Sequence, residues 1–393
     1  MSLRILLCHN YYPRGGGEDN WVDGVEHLLS QHGHVVMRLS ADTREAERLP
    51  WIRQLSVGLQ AIYSFRTIRR VSEVAQAFRP DLAHVSNVFP YLSPSIYHAL
   101  AARRIPVVQT FHNFRPLCPN SLFFTHGQVC MRCKDGNIWN AVLHRCVRNR
   151  VLPSLAYALA VGLAWWTGAY PSKLGVVHIL NDFTAQLWFD RTGRTAEVLG
   201  NYIDASAYTP RDRYDPYQLT YLGGLSPWKG LLTLLRAMIL LPEYRLDIIG
   251  DGIQASELHA FASSHGLTNV TFTGYLEGET PGRVANSLAL VVPSISHDQF
   301  PLVILEAFAL GVPVIGSQMG GIPYMVRPSQ TGELFPAGDH IALAAAVRKL
   351  NADSDLTRRL GENARRRVES EFNPERFYQG LMRLYDKARL GSV

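Results

Sequence analysis

The feature that most constrains the fold is an alternation of short apolar runs and helical segments that occurs twice along the chain. The first series opens with the apolar run Arg4–His9, a glycine-rich turn and a helical pattern over Trp21–His32. The second series begins near Leu219 and continues past Val312–Ile315. Near-continuous apolar runs separated by helices are typical of parallel strands that are covered on both faces. The sequence therefore predicts two doubly wound, Rossmann-like α/β domains.

The two series are separated by Gly200–Tyr217, which is rich in Tyr, Pro and Asp and lacks helical periodicity. We place the boundary there and predict an N-terminal domain over 1–205 and a C-terminal domain over 206–375. A terminal helix over 376–393 is expected to pack back toward the N-terminal domain. Ligands of such sheets bind at the carboxyl ends of the strands, so we expect the site in a cleft between two facing domains.

The charge of the chain is concentrated in its N-terminal half. Residues 1–200 carry 21 Lys and Arg against 13 Asp and Glu, whereas the rest carries 18 against 20. This excess is compatible with an ordinary solvated surface and with a surface that meets an anionic partner. No recognition motif accompanies it, so we expect no nucleic-acid partner. The first ten residues lack the pattern of a secretory signal, which predicts a cytoplasmic chain.

Three consecutive glycines, Gly15, Gly16 and Gly17, follow the first predicted strand. Glycines let the backbone approach a phosphate or a sugar closely, and the helix that follows offers its N-terminus to negative charge. A glycine-rich turn after a first strand is also common without any ligand. The third glycine of a dinucleotide fingerprint would fall on Asn20, which argues against an NAD-dependent dehydrogenase.

The strongest chemical signal is a loop that leads into an apolar helix with an acid on each side of the helix start. Asp298 and Glu306 are eight residues apart, and Glu306 lies between Leu305 and Ala307. A buried acid is costly without partners, so an incidental carboxylate is a poor explanation. Free N–H groups at the helix start can hold a diphosphate or a sugar hydroxyl, and a carboxylate can accept two hydrogen bonds from a ribose diol.

This segment resembles the signature of glycosyltransferase family 4, the retaining enzymes of the GT-B fold. The family signature is Glu-x7-Glu followed by a Gly-x-Pro-Val strand, and here it reads Asp298-x7-Glu306 followed by Gly311-Val312-Pro313-Val314. The resemblance covers nearly the whole chain, and it recurs at Gly15–Gly17, Thr110-Phe111-His112, Asn201–Asp204, Gly223–Gly230 and Gly274-Tyr275.

The resemblance implies a GT-B scaffold and a donor that is a UDP- or GDP-sugar. It implies transfer of the sugar to a hydroxyl of a glycan or lipid-linked acceptor, with retention of configuration and without a catalytic metal. Polysaccharide, glycolipid or cell-surface glycan synthesis is the expected context. A nucleotide-sugar epimerase or hydrolase on the same scaffold, and a degenerate nucleotide-sugar-binding protein, are the alternatives.

The resemblance also implies roles for individual residues. Glu306 would hold the ribose, Asp298 would contact the donor sugar, and Lys229 would neutralise the leaving diphosphate. His112 would sit near the donor sugar, although a single His after a strand is more often structural. The implied substrate-binding positions are Gly16, Gly17, Gly223, Gly224, Tyr275, Leu276, Gln299, Phe300, Pro301 and Leu302.

Two departures from the family pattern bear on donor binding. Asp298 stands where the family has Glu, so its carboxylate is one methylene shorter. Gly224 stands where the family usually has an Arg that pairs with the phosphates. The second departure removes one of two expected cations, which predicts either a substitute basic residue or slow turnover.

Four cysteines, Cys118, Cys130, Cys133 and Cys146, form what we call the cysteine cluster, within a predicted insertion over 113–150. A Cys-x2-Cys pair flanked by single cysteines suits a structural tetrahedral Zn²⁺ site. Similar cysteine-bearing insertions occur in a subset of the family. Two disulfides and four unligated thiols are the alternatives, and a reducing compartment argues against disulfides.

Residues 151–172 contain no charged side chain, although they include Trp165 and Trp166 and follow Arg145, Arg148 and Arg150. The length would suffice for a bilayer span, but a span would divide one α/β domain. A buried helix and a peripheral contact with an anionic membrane surface remain as alternatives.

Overall fold

The structure is a computed structural model that describes residues 2–12, 16–42, 51–170, 172–276 and 278–391, with the side chains of 51–56 excepted. The chain divides into two compact units. The first unit comprises Met1–His126, Cys130–Leu199 and Tyr378–Val393, and the second comprises Gly127–Val129 and Gly200–Phe377. Each unit is built on its own six-stranded parallel sheet with helices, so the prediction of two α/β domains is confirmed.

The strands of the first unit follow one another along the chain with helices between most of them. They are β1 (Arg4–Tyr11), β2 (Val35–Asp42), β3 (Leu82–Val85), β4 (Val107–Phe111), the short β5 (Phe124–Thr125), then β7 (Val176–Ile179) and β8 (Glu197–Val198). The short strand β6 (Gln128–Val129) belongs to the second unit. The parallel sheet has the order β2-β1-β3-β4-β7-β8. The direction of strand addition therefore reverses between β1 and β3, which makes that crevice the switch point of the sheet.

The helices of the described part of the first unit cover this sheet. They are α1 (Gly17–Gln31), α2 (Trp51–Ile62), α3 (Phe65–Phe78), α4 (Ser95–Ala102), α5 (Asn140–Leu143), α6 (Val151–Trp166) and α7 (Asp182–Thr192). Helix α1 buries Trp21, Val22, Val25, Leu28 and Leu29, the face that its apolar spacing predicts. Helix α3 begins at a cap in which the Ser64 side chain accepts a hydrogen bond from the Thr67 N–H.

Helix α6 occupies most of the uncharged stretch considered above. It buries small residues, among them Ala158, Val161 and Ala164, whereas Leu152 and Trp166 remain exposed. Within the described residues, none of the helices combines the length and apolar character that a membrane crossing requires. The helix is thus partly buried in the first unit and partly open to its surface.

A buried chain of hydrogen bonds crosses the sheet of the first unit. His178 Nε2 lies 2.7 Å from the Leu199 carbonyl, and its Nδ1 lies 2.8 Å from the Thr110 hydroxyl. Thr110 in turn lies 2.6 Å from His84 Nε2, and His84 Nδ1 lies 2.7 Å from the Tyr385 hydroxyl. The carbonyl can only accept, so each group donates to the next in one direction, from Tyr385 to Leu199. These hydrogen bonds hold strand β4 in place at Thr110, two residues before His112.

The second unit repeats the architecture. Its strands are β9 (Asp215–Leu222), β10 (Arg245–Ile249), β11 (Val270–Gly274), β12 (Ser287–Val292), β13 (Val314–Ser317) and β14 (Gly332–Phe335), in the order β11-β10-β9-β12-β13-β14. Its described helices include α8 (Leu231–Ile239), α9 (Ala255–Ser264), α10 (Thr280–Ala285), α11 (Leu302–Ala309), α12 (Ile322–Met325), α13 (His340–Ala352) and α14 (Ser354–Ser370). The switch point lies between β9 and β12.

The last helix, α15 (Pro374–Leu390), begins in the second unit and continues from Tyr378 as part of the first. Its residue Tyr385 is fully buried and donates the first hydrogen bond of the chain described above. The C-terminal segment is therefore an integral part of the first unit's core.

Candidate active site

The strongest sequence signal lies at the switch point of the second unit. Strand β9 ends at Leu222 and is followed by the Gly223–Gly230 loop, while β12 ends at Val292 and leads to Asp298. These two strands are hydrogen-bonded neighbours, so both loops leave the same edge of the sheet. Open α/β sheets bind ligands in this crevice, and the two predicted motifs therefore meet where a ligand is expected.

Lys229 and Asp298 form an ion pair at this switch point. Lys229 Nζ lies 2.9 Å from one carboxylate oxygen of Asp298 and 3.0 Å from the other. The hydroxyl of Ser294, which is buried, donates to the same carboxylate. The backbone N–H of Ile295 donates to the Trp228 carbonyl at 3.0 Å and ties the two loops together. The cation and the first acid of the motif are thus in direct contact.

Two glycines are required here by the protein itself. Gly230 has φ of +74°, and a Cβ at this position would lie 2.0 Å from the Pro293 carbonyl oxygen. Gly320 has φ of +57°, and its Cβ would lie 2.5 Å from the Asp298 carbonyl oxygen, which accepts a hydrogen bond from the Gly321 N–H at 2.7 Å. These glycines allow the close backbone contacts that hold the loop of Asp298.

The start of helix α11 presents backbone rather than side chains. Pro301 is the N-cap residue, and no side chain in the described part of the chain caps the helix. Phe300 is buried against Phe372, with ring centroids 5.7 Å apart, and Gln299 is buried as well. The N–H groups of the first turn, from Leu302 onward, are therefore the groups that this segment can offer to an anion.

Glu306 lies in the middle of helix α11 and is partly buried. Burial raises the pKa of Glu306 above its ordinary value. Among the described residues, no side chain forms a hydrogen bond or an ion pair with this carboxylate. A partly buried acid without a side-chain partner suits a group that can accept hydrogen bonds from ligand hydroxyls.

Gly223 and Gly224 differ in what they permit. Gly223 has φ of +146°, a conformation that favours glycine. At Gly224 a Cβ would meet nothing closer than the Asp251 carbonyl oxygen at 4.0 Å, while the Gly224 carbonyl accepts a hydrogen bond from the Tyr221 hydroxyl at 2.8 Å. The fold therefore leaves room for an Arg side chain at this position.

Tyr275 and Leu276 follow strand β11, two strands away from β9 at the same edge of the sheet. The Tyr275 side chain is 84% exposed, whereas Leu276 is partly buried. The ring is open for stacking on a planar group such as a base.

In the first unit, the glycine triplet precedes helix α1. Gly15 lies outside the described residues. Gly16 is the N-cap residue with extended backbone, Gly17 is the first helical residue, and none of the described side chains caps the helix. A Cβ at Gly16 would meet nothing within 4 Å, so the protein itself places no steric demand for glycine there.

His112 follows strand β4 directly and packs against the Trp21 ring, with ring centroids 4.5 Å apart. Burial, reinforced by the charges that His178, His9 and His84 would carry, holds the pKa of His112 well below its ordinary range. The imidazole is therefore neutral at physiological pH and can donate or accept one hydrogen bond at each nitrogen.

The cysteine cluster lies in one region, since Cys133 is close enough for its ionisation to be affected by Cys118, Cys146 and Cys130. All five cysteines of the chain are free thiols. Burial raises the pKa of Cys118 to about 11 and that of Cys133 to about 12. Across the described residues, no three His, Cys, Asp or Glu side chains form a group that could hold a metal ion. The zinc site stays a prediction from the cysteine spacing.

Sequence reasoning missed Ser294 and the structural role of Gly320. Ser294 carries no motif of its own, because its part in the site is a hydrogen bond to a carboxylate four residues later. The doublet Gly320-Gly321 is visible in the sequence, but only the fold brings it against the backbone of Asp298.

Comparison with known proteins assigns both halves of the chain. The model of the family described as Glycosyl transferases group 1 matches residues 210–367, and that of Glycosyltransferase Family 4 matches residues 15–148. The lipopolysaccharide core biosynthesis glycosyltransferase LpsE of Rhizobium meliloti is 28% identical over 53% of this chain and 57% of its own length. The chain thus spans little more than half of the length of this relative.

Two further proteins are similar over nearly the whole chain. The N-acetyl-alpha-D-glucosaminyl L-malate synthase of Bacillus anthracis is 22% identical over 98% of this chain and 97% of its own length. The crystal structure of Anabaena HepE in complex with UDP-glucose has a TM-score of 0.67 and 18% identity, covering 98% of this chain and all of that one. With the fold shared and family models matching both halves, the chain belongs to the family 4, group 1 glycosyltransferases and has the GT-B fold.

Proposed function

We propose that this glycosyltransferase transfers a sugar from a UDP- or GDP-sugar to an acceptor hydroxyl and retains the anomeric configuration. The observation that carries the proposal is the grouping of complementary features on two loops at one switch point. A cation at Lys229, a helix start at Leu302 without a side-chain cap and a partly buried acid at Glu306 suit a diphosphate and a ribose. The solved complex of the similar HepE protein holds UDP-glucose, which makes UDP-sugars the first donors to test.

The chemistry follows from where charge develops. The bond between the anomeric carbon and the diphosphate oxygen breaks, and a bond to the acceptor oxygen forms on the same face. The proton of the acceptor hydroxyl passes to the departing diphosphate, so no side-chain base is required. Lys229 and the N–H groups of helix α11 stabilise the growing negative charge, which is the role of preorganised donors. Asp298 positions Lys229 and remains able to accept a hydrogen bond from a sugar hydroxyl.

Gly224 favours a second candidate function. Without the usual Arg, the site has one fewer cation for the leaving group, and a protein that binds nucleotide sugar without turnover would show the same site. An epimerase or a hydrolase would differ in product rather than in binding. Product analysis with a labelled donor distinguishes a transferred sugar, a free sugar, an altered nucleotide sugar and no reaction.

Two substitutions test the donor assignment. Glu306→Ala should abolish UDP binding measured by calorimetry, because the carboxylate holds the ribose in the ground state. Lys229→Ala should retain measurable binding and mainly slow turnover, because its partner is charge that grows in the transition state. Glu257→Ala, an exposed acid on helix α9, is the matched control and should behave like the parent. UDP binding by Glu306→Ala equal to that of the parent would make the ribose assignment wrong.

We propose further that the first unit contacts an anionic membrane surface, where a lipid-linked acceptor would be found. The segment from α5 to α6 exposes large apolar side chains, including Leu143, Leu152 and Trp166, which is 84% exposed. Basic residues alternate with them at Arg145, Arg148 and Arg150. Exposed apolar and aromatic groups beside cations suit a lipid headgroup region, and each basic residue contributes about 1 kcal/mol near an anionic surface.

Vesicle sedimentation tests the membrane proposal. The protein should bind vesicles that contain phosphatidylglycerol at low salt, and binding should fall as salt screens the charges. Leu152→Asp should weaken binding, whereas Leu240→Asp, an exposed leucine of the second unit, is the matched control. No sedimentation with anionic vesicles at low salt would refute the proposal.

A further inference from the structure

The first unit contains a small cavity next to the switch point of its sheet, lined by both polar and apolar side chains. The cavity lies at the carboxyl ends of β3 and β4, between the segment that begins at Ser86 and the segment His112–Pro116, and the first turn of α1 closes it with Glu18. Its volume of about 20 Å³ admits one or two groups the size of water. Ligands of doubly wound sheets enter at this edge, so the place itself is one where a ligand is expected.

Three polar atoms of residues that line the cavity are buried without a hydrogen-bond partner among the residues that the structure describes. They are the hydroxyl oxygen of Ser86, Nε2 of His112 and Nε of Arg115. Ser86 is only 4% exposed, so bulk solvent does not reach its hydroxyl. Buried polar groups in native proteins are nearly always paired, and three unpaired atoms around one cavity indicate a missing polar partner.

The cationic side chain of this cavity is rigidly held. The guanidinium of Arg115 donates to the Pro119 carbonyl at 2.7 Å and to the Ser121 hydroxyl at 3.2 Å. It also lies over the rings of Phe89 and Tyr157, with its central carbon 5.2 Å and 4.5 Å from the ring centroids. The unpaired Nε–H of Arg115 therefore cannot turn away to find another acceptor, and it remains available as a preorganised donor.

The acidic side chain is oriented in the same way. One carboxylate oxygen of Glu18 accepts a hydrogen bond from the Asn113 amide at 2.9 Å, and the other accepts from the Tyr12 hydroxyl at 2.9 Å. Each oxygen keeps a second lone pair. The cavity thus combines fixed donors with fixed acceptors. A hydroxyl both donates and accepts, whereas an anion would meet the Glu18 carboxylate and an apolar group would leave every polar atom unpaired.

We propose that this cavity binds a hydroxyl-bearing arm of the carbohydrate acceptor and that Ser86, Arg115 and Glu18 select for it. The inference rests on the proposed function for the presence of a sugar acceptor. The size of the cavity limits the bound part to one hydroxyl or hydroxymethyl group, so the sugar ring lies outside. The cavity then selects acceptors by the position of their hydroxyl groups. A sugar that has no hydroxyl at the matching position leaves the unpaired atoms of Ser86, His112 and Arg115 without a partner.

The cavity predicts an uncommon result for Ser86→Val. The substitution removes an unpaired hydroxyl and adds apolar volume beside the cavity, so the folded protein should be about as stable as the parent. Carbohydrate binding should nevertheless be lost, because the added volume occupies the place of the hydroxyl arm. A purely structural role for Ser86 cannot produce this combination.

Saturation-transfer NMR on the full chain tests the proposal with methyl glycosides of glucose, galactose, mannose and N-acetylglucosamine as probes. Each glycoside is titrated with and without UDP. At least one should bind to the parent, and its Kd should rise at least tenfold in Ser86→Val and in Glu18→Leu while the affinity for UDP is unchanged. Ser30→Val, the same change at an exposed position of α1, is the matched control.

Binding of glycosides that neither variant weakens would overturn the proposal, and so would absence of glycoside binding to the parent. In either case the cavity holds ordered water only. Failure of the parent to bind UDP would instead refute the donor assignment. The glycoside titrations without UDP test the cavity proposal independently of donor binding.

Discussion

Removal of one hydroxyl should destabilise the first unit measurably. In Tyr385→Phe the ring stays, and its edge contact with His84, at 5.5 Å between ring centroids, is retained. The substitution removes the Tyr385 hydroxyl, which in the parent lies 2.7 Å from His84 Nδ1 and donates to it. His84 cannot reverse its tautomer, because its Nε2–H donates to Thr110, whose own proton is committed to His178.

The size of the effect follows from burial. His84 and Tyr385 are both fully buried, so no water replaces the lost donor. A buried acceptor left unsatisfied costs about 1–3 kcal/mol. For a unit of this size, each kcal/mol corresponds to a fall in Tm of about 2–4 °C.

The assay is urea unfolding followed by near-UV circular dichroism, which reports the tertiary packing of the first unit's many aromatic residues. The matched control is Tyr378→Phe on the same helix, which loses a bond to His34 at a position that is only partly buried and should cost less. A Tyr385→Phe protein that unfolds at the same urea concentration as the parent would refute the contribution of this buried hydrogen bond to stability.

Three further predictions concern a cation, protons and a metal. Gly224→Arg should be tolerated, because a side chain has room there, and should raise donor turnover roughly tenfold by supplying the missing cation; unchanged or slower turnover by the folded variant would contradict this. Burial holds the pKa of His84 to about 3 and that of His178 to about 4, so these side chains stay neutral in the folded state while the unfolded chain takes up their protons below about pH 6.5. The free energy of unfolding should therefore decrease on acidification below that pH, by about 1.4 kcal/mol per pH unit for each histidine. A urea midpoint that is no lower at pH 5 than at pH 7 would contradict this prediction. The spacing of the cysteine cluster predicts about one zinc per chain in protein purified without added metal, and metal-free protein with four titratable thiols after unfolding without reductant would eliminate the site.

Much of the fold could be predicted because parallel strands that are buried on both faces leave a strong local signal. The apolar run Arg4–His9 is observed as strand β1, which extends two residues further, and the helical pattern over Trp21–His32 is observed as helix α1, which begins four residues earlier. Helix α3 was not predicted, because its start depends on the Ser64 cap and because its apolar face can be recognised only when the sheet that it packs against is known. Short strands such as β8 have too few residues for periodicity to show.

The site could be predicted where a motif is contiguous and not where distant residues meet. Asp298 and Lys229 were identified from their own motifs, but their direct ion pair joins residues 69 apart in the chain. The contact of His84 with Tyr385 spans 301 residues and has no local signature. The cysteine spacing conveys ligand chemistry but not the side-chain placement that decides whether four thiols can share a metal.

The central claim is that the chain transfers a sugar from a nucleotide diphosphate with retention. The most direct test incubates the protein with UDP- and GDP-sugars labelled with ¹³C at the anomeric carbon, together with a bacterial lipid extract as acceptor, and follows the label by NMR. Retention predicts that an α-linked donor gives an α-linked product in step with the release of nucleoside diphosphate. A β-linked product, a free sugar alone or an epimerised nucleotide sugar would contradict the account.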